Sequence, residues 1–352
     1  MSRDATPLLT PVPAGVRDRL VRLCLTLFVR GSLLVSPRPT VLLLRQMFAA
    51  GGAAVARGLD PHTPANVTAL TDERYGSNPD EVLDVYRPAG FEGRLPTVVW
   101  VHGGGWIAGS KEELAGYFKL IASRGYTVVG PRYSLAPKRR YPTPTRQIMQ
   151  ALQYLQANAE RLQLDPARIV IGGDSAGAQL TAQVAALVTT PGYANAVGVE
   201  PTITAEQLRG VVLACGPYDL ARLAAGHTSI GTRLVQAVLW AYSGKRKFLE
   251  DRHFATFSLT DHVTPAFPPA LVTVGNADPL RLHSELLVQQ LLEEGTQLET
   301  LFFPADYEPA LGHEYQFTLD TDAGDLFLER LFTFLRRQLD EQPQPASPRP
   351  DR

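Results

Sequence analysis

The stretch IVIGGDSAGAQLTAQVAAL, residues 169–187, decides the fold of this chain. It begins as a short apolar run typical of a buried strand and ends as an alanine-rich run typical of a helix. Between them stands the pattern G-x-S-x-G, formed by Gly173, Ser175 and Gly177. Glycines on both sides of the serine permit a tight turn, because a Cβ at either position would collide with neighbouring backbone. The setting predicts a nucleophile elbow with Ser175 at the end of a strand, rather than a serine that merely caps a helix.

Similar short apolar runs recur downstream of residue 66 and alternate with longer helical patterns. The runs TVVWVH, TVVGP, GVVLAC, ALVTVG and ETLFFP each end in glycine, proline or a polar residue, as expected of strands buried on both faces. Helical patterns such as PTRQIMQALQYLQANAERLQL, residues 144–164, separate them. This order predicts an α/β fold with a mostly parallel sheet, whose ligands bind at the carboxyl ends of the strands.

A serine nucleophile requires a base and an acid, which follow it in the chain order Ser, acid, His in this architecture. Asp278 follows the strand pattern ALVTVG, and His313 follows the last strand pattern and a loop. The sequence therefore predicts the triad Ser175, Asp278 and His313. His283 lies five residues after Asp278, too local to reach Ser175, and is interpreted as a surface histidine. Asp306 and Glu308 remain alternatives for the acid.

The stretch WVHGGGWIAGS, residues 100–110, places three consecutive glycines directly after a strand pattern. Glycines let backbone N–H groups approach an oxyanion without obstruction by side chains. We expect Gly104 and Gly105 to donate to the oxyanion together with the N–H of Ala176, the residue after the nucleophile. His102 precedes the acid in the chain, so we expect it to orient the glycine loop rather than to act as the base.

The charge balance and the cysteine content of the chain indicate which partners and ligands to expect. The chain has 352 residues, and 34 Lys and Arg against 35 Asp and Glu give a formal net charge of -1, which disfavours nucleic acid as a partner. Its two cysteines, Cys24 and Cys215, are far apart and lack a metal-ligand spacing, so neither a disulfide framework nor a metal site is expected. We expect no cofactor, a small-molecule substrate and a cytoplasmic location.

Residues 1–65 form an apolar N-terminal segment. Arg22, Arg30 and Arg45 interrupt its apolar runs before they reach the roughly 20 residues needed to cross a bilayer, so no stable membrane span is expected. Leu20, Leu23, Leu27 and Leu34 recur at near-helical spacing, which predicts an amphipathic helix over residues 16–57 that covers the catalytic domain as part of a cap. The alternative that the protein is secreted or membrane-associated, with this segment as a removed leader or as an anchor, stays open. The polar, proline-rich tail, residues 339–352, is expected to be disordered.

Five motifs, HGGGW, YSLAPKRRYPTP, GDSAGA, NADPL and GHEYQF, appear in the order and approximate spacing of the hormone-sensitive-lipase-like carboxylesterases. The resemblance covers residues 66–338 and implies an α/β-hydrolase fold with an eight-stranded sheet, the Ser175, Asp278, His313 triad and an HGGG oxyanion hole. It also implies a helical cap, built from the N-terminal segment and from an insertion at about 219–262. Two features depart from the family: Ala178 replaces a common glycine, and the loop before His313 is long.

The expected function is a serine carboxylesterase that hydrolyses short to medium acyl esters. An amide hydrolase similar to the kynurenine formamidases is the main alternative, because it shares the fold and a comparable glycine loop. A non-catalytic ligand receptor on the same fold is disfavoured, because receptors of that kind lose the histidine and His313 is present here. A homodimer stays open.

Overall fold

The computed structural model describes residues 16–225 and 229–340. Within these residues, eight strands form one sheet. The strands are β1 Val67–Arg74, β2 Val82–Pro88, β3 Leu95–Val101, β4 Thr127–Pro131, β5 Leu164–Asp174, β6 Leu208–Ala214, β7 Ala270–Val274 and β8 Leu298–Phe302.

The spatial order of the sheet is β1-β2-β4-β3-β5-β6-β7-β8. Strand β2 runs antiparallel to both of its neighbours, β1 and β4. Every other adjacent pair is parallel, so β3, β5, β7 and β8 end at the same edge of the sheet. This arrangement confirms the predicted α/β-hydrolase architecture and brings the loops after these four strands together.

Helices cover both faces of the sheet. They are α1 Val16–Val35, α2 Arg38–Leu59, α3 Ala115–Ala122, α4 Thr143–Ala157, α5 Ala176–Thr189, α6 Pro191–Val197, α7 Leu220–Ala225, α8 Ser229–Ser243, α9 Arg252–Ala255, α10 Arg281–Glu293 and α11 Asp322–Leu339. The predicted helix over residues 144–164 is too long: α4 ends at Ala157, and β5 already begins at Leu164.

Alternation along β3 shows how one strand serves two cores. Val99 and Val101 pack into the core that holds α4 and α5, while Val98 and Trp100 pack into the opposite core with α3 and α11. All four side chains are fully buried. Because a strand that is buried on both faces has apolar residues at successive positions, the stretch VVWV of β3 does not alternate between apolar and polar residues.

Helices α1 and α2 form a hairpin that packs beside α8. Val29, Val41 and Leu44 are the buried side of this hairpin. Arg45 fixes α2 to the domain, because its Nε donates to the carbonyl of Ile107 at 2.6 Å and its Nη2 to that of Ala136 at 2.7 Å. By length and composition alone, the stretch Arg38–His62 could cross a membrane. Of its most apolar 18 residues, 17% are buried in the protein.

The predicted cap insertion, the C-terminal tail and the two cysteines can be located in the structure. Between β6 and β7 the described residues include α7, α8 and α9. Helix α11 extends to Leu339, so the tail predicted over 339–352 begins within a helix and, beyond residue 340, lies outside the described residues. Cys24 is exposed, Cys215 is buried, and both are free thiols.

Candidate active site

Ser175 lies in a strained turn between β5 and α5. Its φ of 50° is unusual for a residue with a side chain, and its own hydroxyl makes no capping hydrogen bond to α5. Its backbone N–H donates to the carbonyl of Ala214 on β6 at 2.8 Å. A Cβ on Gly177 would lie 1.9 Å from the carbonyl oxygen of Val101, so glycine is required where α5 crosses the end of β3.

The predicted triad residues, which come from three separate loops, lie in hydrogen-bond contact. The Ser175 Oγ lies 2.9 Å from the His313 Nε2, and the His313 Nδ1 lies 2.8 Å from the Asp278 Oδ2. The other carboxylate oxygen of Asp278 accepts from the N–H of Leu280 at 2.7 Å. The Asp278 side chain is buried, whereas that of His313 is 33% exposed. In this arrangement the Nδ1–H of His313 donates to Asp278, and its Nε2 can accept a proton from Ser175.

The surroundings of His313 favour its protonated form. Burial opposes a charge on the imidazole, but the neighbouring Cys215 and the hydrogen bond to Asp278 outweigh burial and raise the pKa of His313 well above the usual histidine value. We attribute the rise to Asp278, because burial raises the pKa of the Cys215 thiol and keeps it neutral. The histidine is thus a stronger base than free imidazole.

Cys215, Asp278 and His313 also offer one potential metal-ligand atom each, all within 4.8 Å of one another. Both nitrogens of His313 already face triad partners. A metal ion at this point would have to compete with the hydrogen bonds among Ser175, His313 and Asp278, so the cluster is a poor fit for a resident metal.

The glycine loop after β3 lies beside Ser175. Gly104 and Gly105 have φ values of 109° and 60°, which glycine adopts without strain. A Cβ on Gly104 would lie 2.2 Å from the carbonyl oxygen of Ala108, so the loop folds back on itself too closely for a side chain. Ala176 is the first residue of α5, where backbone N–H groups have no helical acceptor. The three predicted donors therefore stand on two backbone segments that meet at Ser175.

Asp174 joins the glycine loop to the elbow. Its Oδ2 accepts from the N–H of Gly103 at 2.7 Å, and its Oδ1 accepts from the indole N–H of Trp100 at 2.9 Å. Sequence reasoning passed over Asp174, although it stands within the elbow motif itself. Its carboxyl fixes the position of the loop relative to the nucleophile.

His102 is buried and orients the loop rather than reaching the nucleophile. Its ring stacks on Tyr133 with centroids 4.3 Å apart, and its Nδ1–H donates to the carbonyl of Gly103 at 2.8 Å. Burial lowers the pKa of His102 to about 4, so the ring is neutral at physiological pH. The hydroxyl of Tyr133 donates to the His102 carbonyl at 2.9 Å.

Lys111 anchors the far end of the same loop. The side chain is buried, and its Nζ lies 2.6 Å from the Asp84 carboxylate, which is also buried. Asp72 and Glu112 each lie 3.0 Å from the same ammonium group. The glycine loop is therefore held at both ends, by Asp174 and by Lys111, and neither anchor was predicted.

A cavity of about 240 Å³ opens over the triad. Its walls include the glycine loop, Ser175, His313 and five residues of α2, namely Met47, Phe48, Gly51, Gly52 and Val55. Three carboxyl side chains, Glu113, Asp174 and Glu314, also line it. Burial, together with the nearby Glu314, raises the pKa of Asp174 well above its usual range, and burial also raises the pKa of Glu113.

Three other predicted residues lie away from this arrangement. Asp306 and Glu308 are exposed, and His313 bonds to Asp278 instead. The prediction that His283 is a surface histidine is wrong: its side chain is buried on α10, and its Nδ1 accepts from the N–H groups of Tyr218 and Asp219 at 3.3 Å. The loop after β6 needs acceptors for these donors, so His283 is structural.

Known proteins resemble this chain in sequence and in fold. The family model BD-FAE matches residues 83–291. A putative alpha/beta hydrolase of Acanthamoeba polyphaga mimivirus is 26% identical over 223 residues, which cover 62% of this chain and 61% of that relative. The alignment thus spans less than two thirds of that relative's length.

Solved structures share the fold along nearly their whole length. Inhibited esterase B from Lactobacillus rhamnosis has 25% identity and a TM-score of 0.72, with 85% of this chain and 97% of that chain covered. A bacterial heroin esterase has 22% identity and a TM-score of 0.64, with 84% and 90% covered. A thermophilic carboxylesterase from a metagenomic library has 23% identity and a TM-score of 0.65, with 89% and 100% covered.

Together these matches confirm the α/β-hydrolase fold and the resemblance to the hormone-sensitive-lipase-like carboxylesterases that the motifs predict. The matched region runs from β2 to within α10 and so includes the glycine loop, the elbow and Asp278. The chain belongs to the BD-FAE family.

Proposed function

We propose that this protein is a serine carboxylesterase that hydrolyses short to medium acyl esters through an acyl-enzyme on Ser175. The observation that carries the proposal is the continuous hydrogen-bond chain from Ser175 through His313 to Asp278 beside the glycine loop. A nucleophile, a base, an orienting acid and oxyanion donors are the parts that acyl transfer requires.

In the first step, the Ser175 Oγ attacks the ester carbonyl carbon and its proton passes to the Nε2 of His313. The carbonyl oxygen becomes an oxyanion that accepts hydrogen bonds from the N–H groups of Gly104, Gly105 and Ala176. Each such donor lowers the barrier by about 3 kcal/mol. When the intermediate collapses, the bond to the alcohol oxygen breaks and the alcohol leaves with the proton from His313.

In the second step, water repeats the attack on the acyl-enzyme. His313 accepts a proton from the water, the carbon–Oγ bond breaks, and Ser175 recovers its proton as the carboxylic acid leaves. Asp278 accepts the hydrogen bond from the His313 Nδ1–H and stabilises the imidazolium that forms in each half-reaction.

The size of the cavity supports short to medium acyl groups. At about 240 Å³ it is smaller than the roughly 300–1,000 Å³ of pockets that enclose drug-sized ligands. The side chains of Met47, Phe48 and Val55 give the acyl group an apolar wall on α2. A palmitoyl chain would extend beyond this wall.

An acyl-length series of p-nitrophenyl esters, from acetate to palmitate, tests the proposal. We expect the largest kcat/KM between acetate and octanoate and a steep fall beyond octanoate, with kcat/KM of Ser175→Ala lower by about 10⁴-fold or more for every ester. N-formylkynurenine in the same assay distinguishes the amide hydrolase: a higher kcat/KM for it than for every ester would replace the esterase proposal. Absence of turnover for all of them in a protein that still binds esters would favour a receptor.

A further inference from the structure

The outer side of the α1–α2 hairpin carries an unusual share of exposed apolar side chains. Of the fourteen large apolar side chains that are exposed among the described residues, eight lie between residues 23 and 48. These eight, which we call the outer face, are Leu23, Leu27, Phe28, Leu34, Val35, Leu42, Met47 and Phe48. Leu34 is 70% exposed and Val35 is 85% exposed. Burying these side chains elsewhere would be favourable, so the outer face indicates an apolar partner.

The hairpin already has an apolar side that the domain covers. Val29, Val41 and Leu44 face inward, and Arg45 ties α2 to two backbone carbonyls of the domain. A cap helix on a globular protein needs one apolar stripe to pack against the core. The outer face is a second apolar surface in excess of what cap packing uses.

The same hairpin is strongly basic. Residues 16–59 contain seven arginines and one aspartate as their charged residues, a net charge of +6 in a chain whose total is -1. Arg30 and Leu34 line a cleft together with Arg233 of α8 and with Arg246, Lys247 and Glu250, which follow α8. Glu250 pairs with Lys247, so the cleft holds four cationic side chains against one carboxylate. An apolar surface rimmed by arginine and lysine matches the interface of a membrane that contains anionic lipids.

We propose that the α1–α2 hairpin docks the protein on the surface of an anionic lipid bilayer. The outer face enters the boundary between headgroups and acyl chains, and the exposed Arg30 and Arg38 bind lipid phosphates. Both helices then lie along the membrane plane, because α2 must stay on the domain to form the wall of the cavity. A two-fold pairing of hairpins would bring together two segments that each carry a net charge of +6, which disfavours a second copy as the partner.

Docking would bring the cavity to the lipid. Met47 and Phe48 belong to the outer face and also line the cavity over Ser175. The mouth of the cavity would therefore open at the bilayer, where esters with apolar chains concentrate. This consequence rests on the proposed esterase function, whereas docking itself does not.

Co-sedimentation of the full-length chain with vesicles tests docking without any turnover. Two vesicle compositions suffice: phosphatidylcholine alone, and phosphatidylcholine with roughly 30% phosphatidylglycerol. We expect binding to the anionic vesicles to be tighter by about tenfold or more and to weaken at high salt. The double variant Arg30→Glu/Arg38→Glu should remove this preference, while the exposed control Arg330→Glu should keep it.

The apolar contribution needs its own pair of variants. Leu27→Asp/Leu34→Asp should reduce binding to anionic vesicles by about tenfold or more, since both side chains would lose their place in the interface. The control Leu292→Asp changes a leucine that is 61% exposed on α10 and should bind as the parent does. If the double aspartate variant shows a lowered melting temperature, Leu27→Ser/Leu34→Ser provides the same comparison with less perturbation.

Two results would overturn the proposal. The first is equal partitioning of the parent and all variants onto both vesicle types, or no binding to either. The second is a dimer, measured by analytical ultracentrifugation, that Leu27→Asp/Leu34→Asp dissociates while the parent binds no vesicles. That second result would assign the outer face to another copy of this chain. Loss of ester turnover with vesicle binding intact would instead contradict the proposed function alone.

Discussion

The carboxyl edge of the sheet and the α1–α2 hairpin border the same cavity but differ in how completely their groups are partnered. At the sheet edge the Asp278 carboxylate accepts from both His313 and the N–H of Leu280, and Asp174 accepts from Trp100 and Gly103. The hairpin instead leaves Leu34 and Val35 largely exposed. At the sheet edge, the protein itself supplies the hydrogen-bond partners, as expected of a preorganised site for chemistry. The exposed apolar side chains of the hairpin have no such partner within the described part of the domain, as expected of a surface that binds something outside the chain.

Removal of the nucleophile or the base should have the largest effect on ester hydrolysis. We expect Ser175→Ala and His313→Ala each to lower kcat/KM for a short ester by about 10⁴-fold or more, with the double variant no worse, because the residues act as a unit. Melting temperature should stay near that of the parent. His62→Gln is the matched histidine control, since His62 does not line the cavity and pairs with Asp320. Near-parent turnover by either alanine variant would refute the mechanism.

The acid provides the next largest effect. Asp278→Asn should lower kcat/KM by about 10²- to 10⁴-fold, since the amide cannot stabilise the imidazolium and favours the wrong tautomer of His313. Asp306→Asn is the control because Asp306 is exposed and is not the carboxylate that bonds to His313. Steady-state kinetics on one aryl ester decide between them. A larger loss for the Asp306 variant would mean that the acid has been assigned to the wrong residue.

These two predictions use residues that sequence reasoning could find, and the reason is local. Ser175, Asp278 and the glycine loop each directly follow a strand pattern, so parallel topology alone brings them to one edge. Contacts that depend on register could not be predicted in this way. The hydrogen bond from Gly103 to Asp174 joins residues 71 positions apart, and the pair of Lys111 with Asp84 joins the loop to β2.

The interpretation of His283 failed for a related reason. The sequence near it resembles an exposed helix, and nothing local reveals that the backbone after β6 approaches His283 with two N–H groups. The leucine spacing in α1 predicts an amphipathic helix but does not tell which apolar residues face the domain. Leu23, Leu27 and Leu34, whose spacing led to the predicted cap, are each more than half exposed. Only the packing of Val29 and Val41 distinguishes the two sides.

Lys111 tests how much the anchored loop contributes to stability. Lys111→Met would leave the buried carboxylate of Asp84 without its ammonium partner, so we expect the free energy of unfolding to fall by about 3 kcal/mol. Urea denaturation followed by circular dichroism measures it. Lys138→Met is the control, because Lys138 is 74% exposed and its nearest carboxylate is 3.9 Å away. Equal midpoints for the two variants would show that the buried pair does not stabilise the fold.

The pH dependence of kcat/KM tests the environment of His313. His313 must be neutral to accept the Ser175 proton, and its pKa is raised. The imidazolium form therefore persists to higher pH, and kcat/KM should fall as pH decreases through a value above the roughly 6.5 of free histidine. In Asp278→Asn, whose amide carries no charge, the midpoint of the residual activity should move to lower pH. A midpoint that stays in place would exclude Asp278 as the cause of the raised pKa.

The smallest expected effect separates the hairpin residues that line the cavity from the outer-face residues that do not. Phe48 lines the cavity, and its Cε2 lies 3.3 Å from the position that a Cβ on Gly105 would take. Phe48→Ala removes apolar wall, and a long octanoyl group has more apolar surface to contact it than an acetyl group has. We expect kcat/KM for the octanoate ester to fall about five- to tenfold with acetate nearly unchanged, consistent with about 1 kcal/mol of lost contact.

Two controls decide whether that loss comes from the cavity wall. Leu42→Ala changes an outer-face residue on the same helix that does not line the cavity, so it should weaken vesicle binding and leave the octanoate to acetate ratio unchanged. Phe91→Ala changes a phenylalanine that is 46% exposed on the loop between β2 and β3 and should alter neither measurement. If Leu42→Ala shifts the ester ratio as much as Phe48→Ala does, the two sides of the hairpin are not separate, and selectivity would depend on how the whole hairpin sits on the domain.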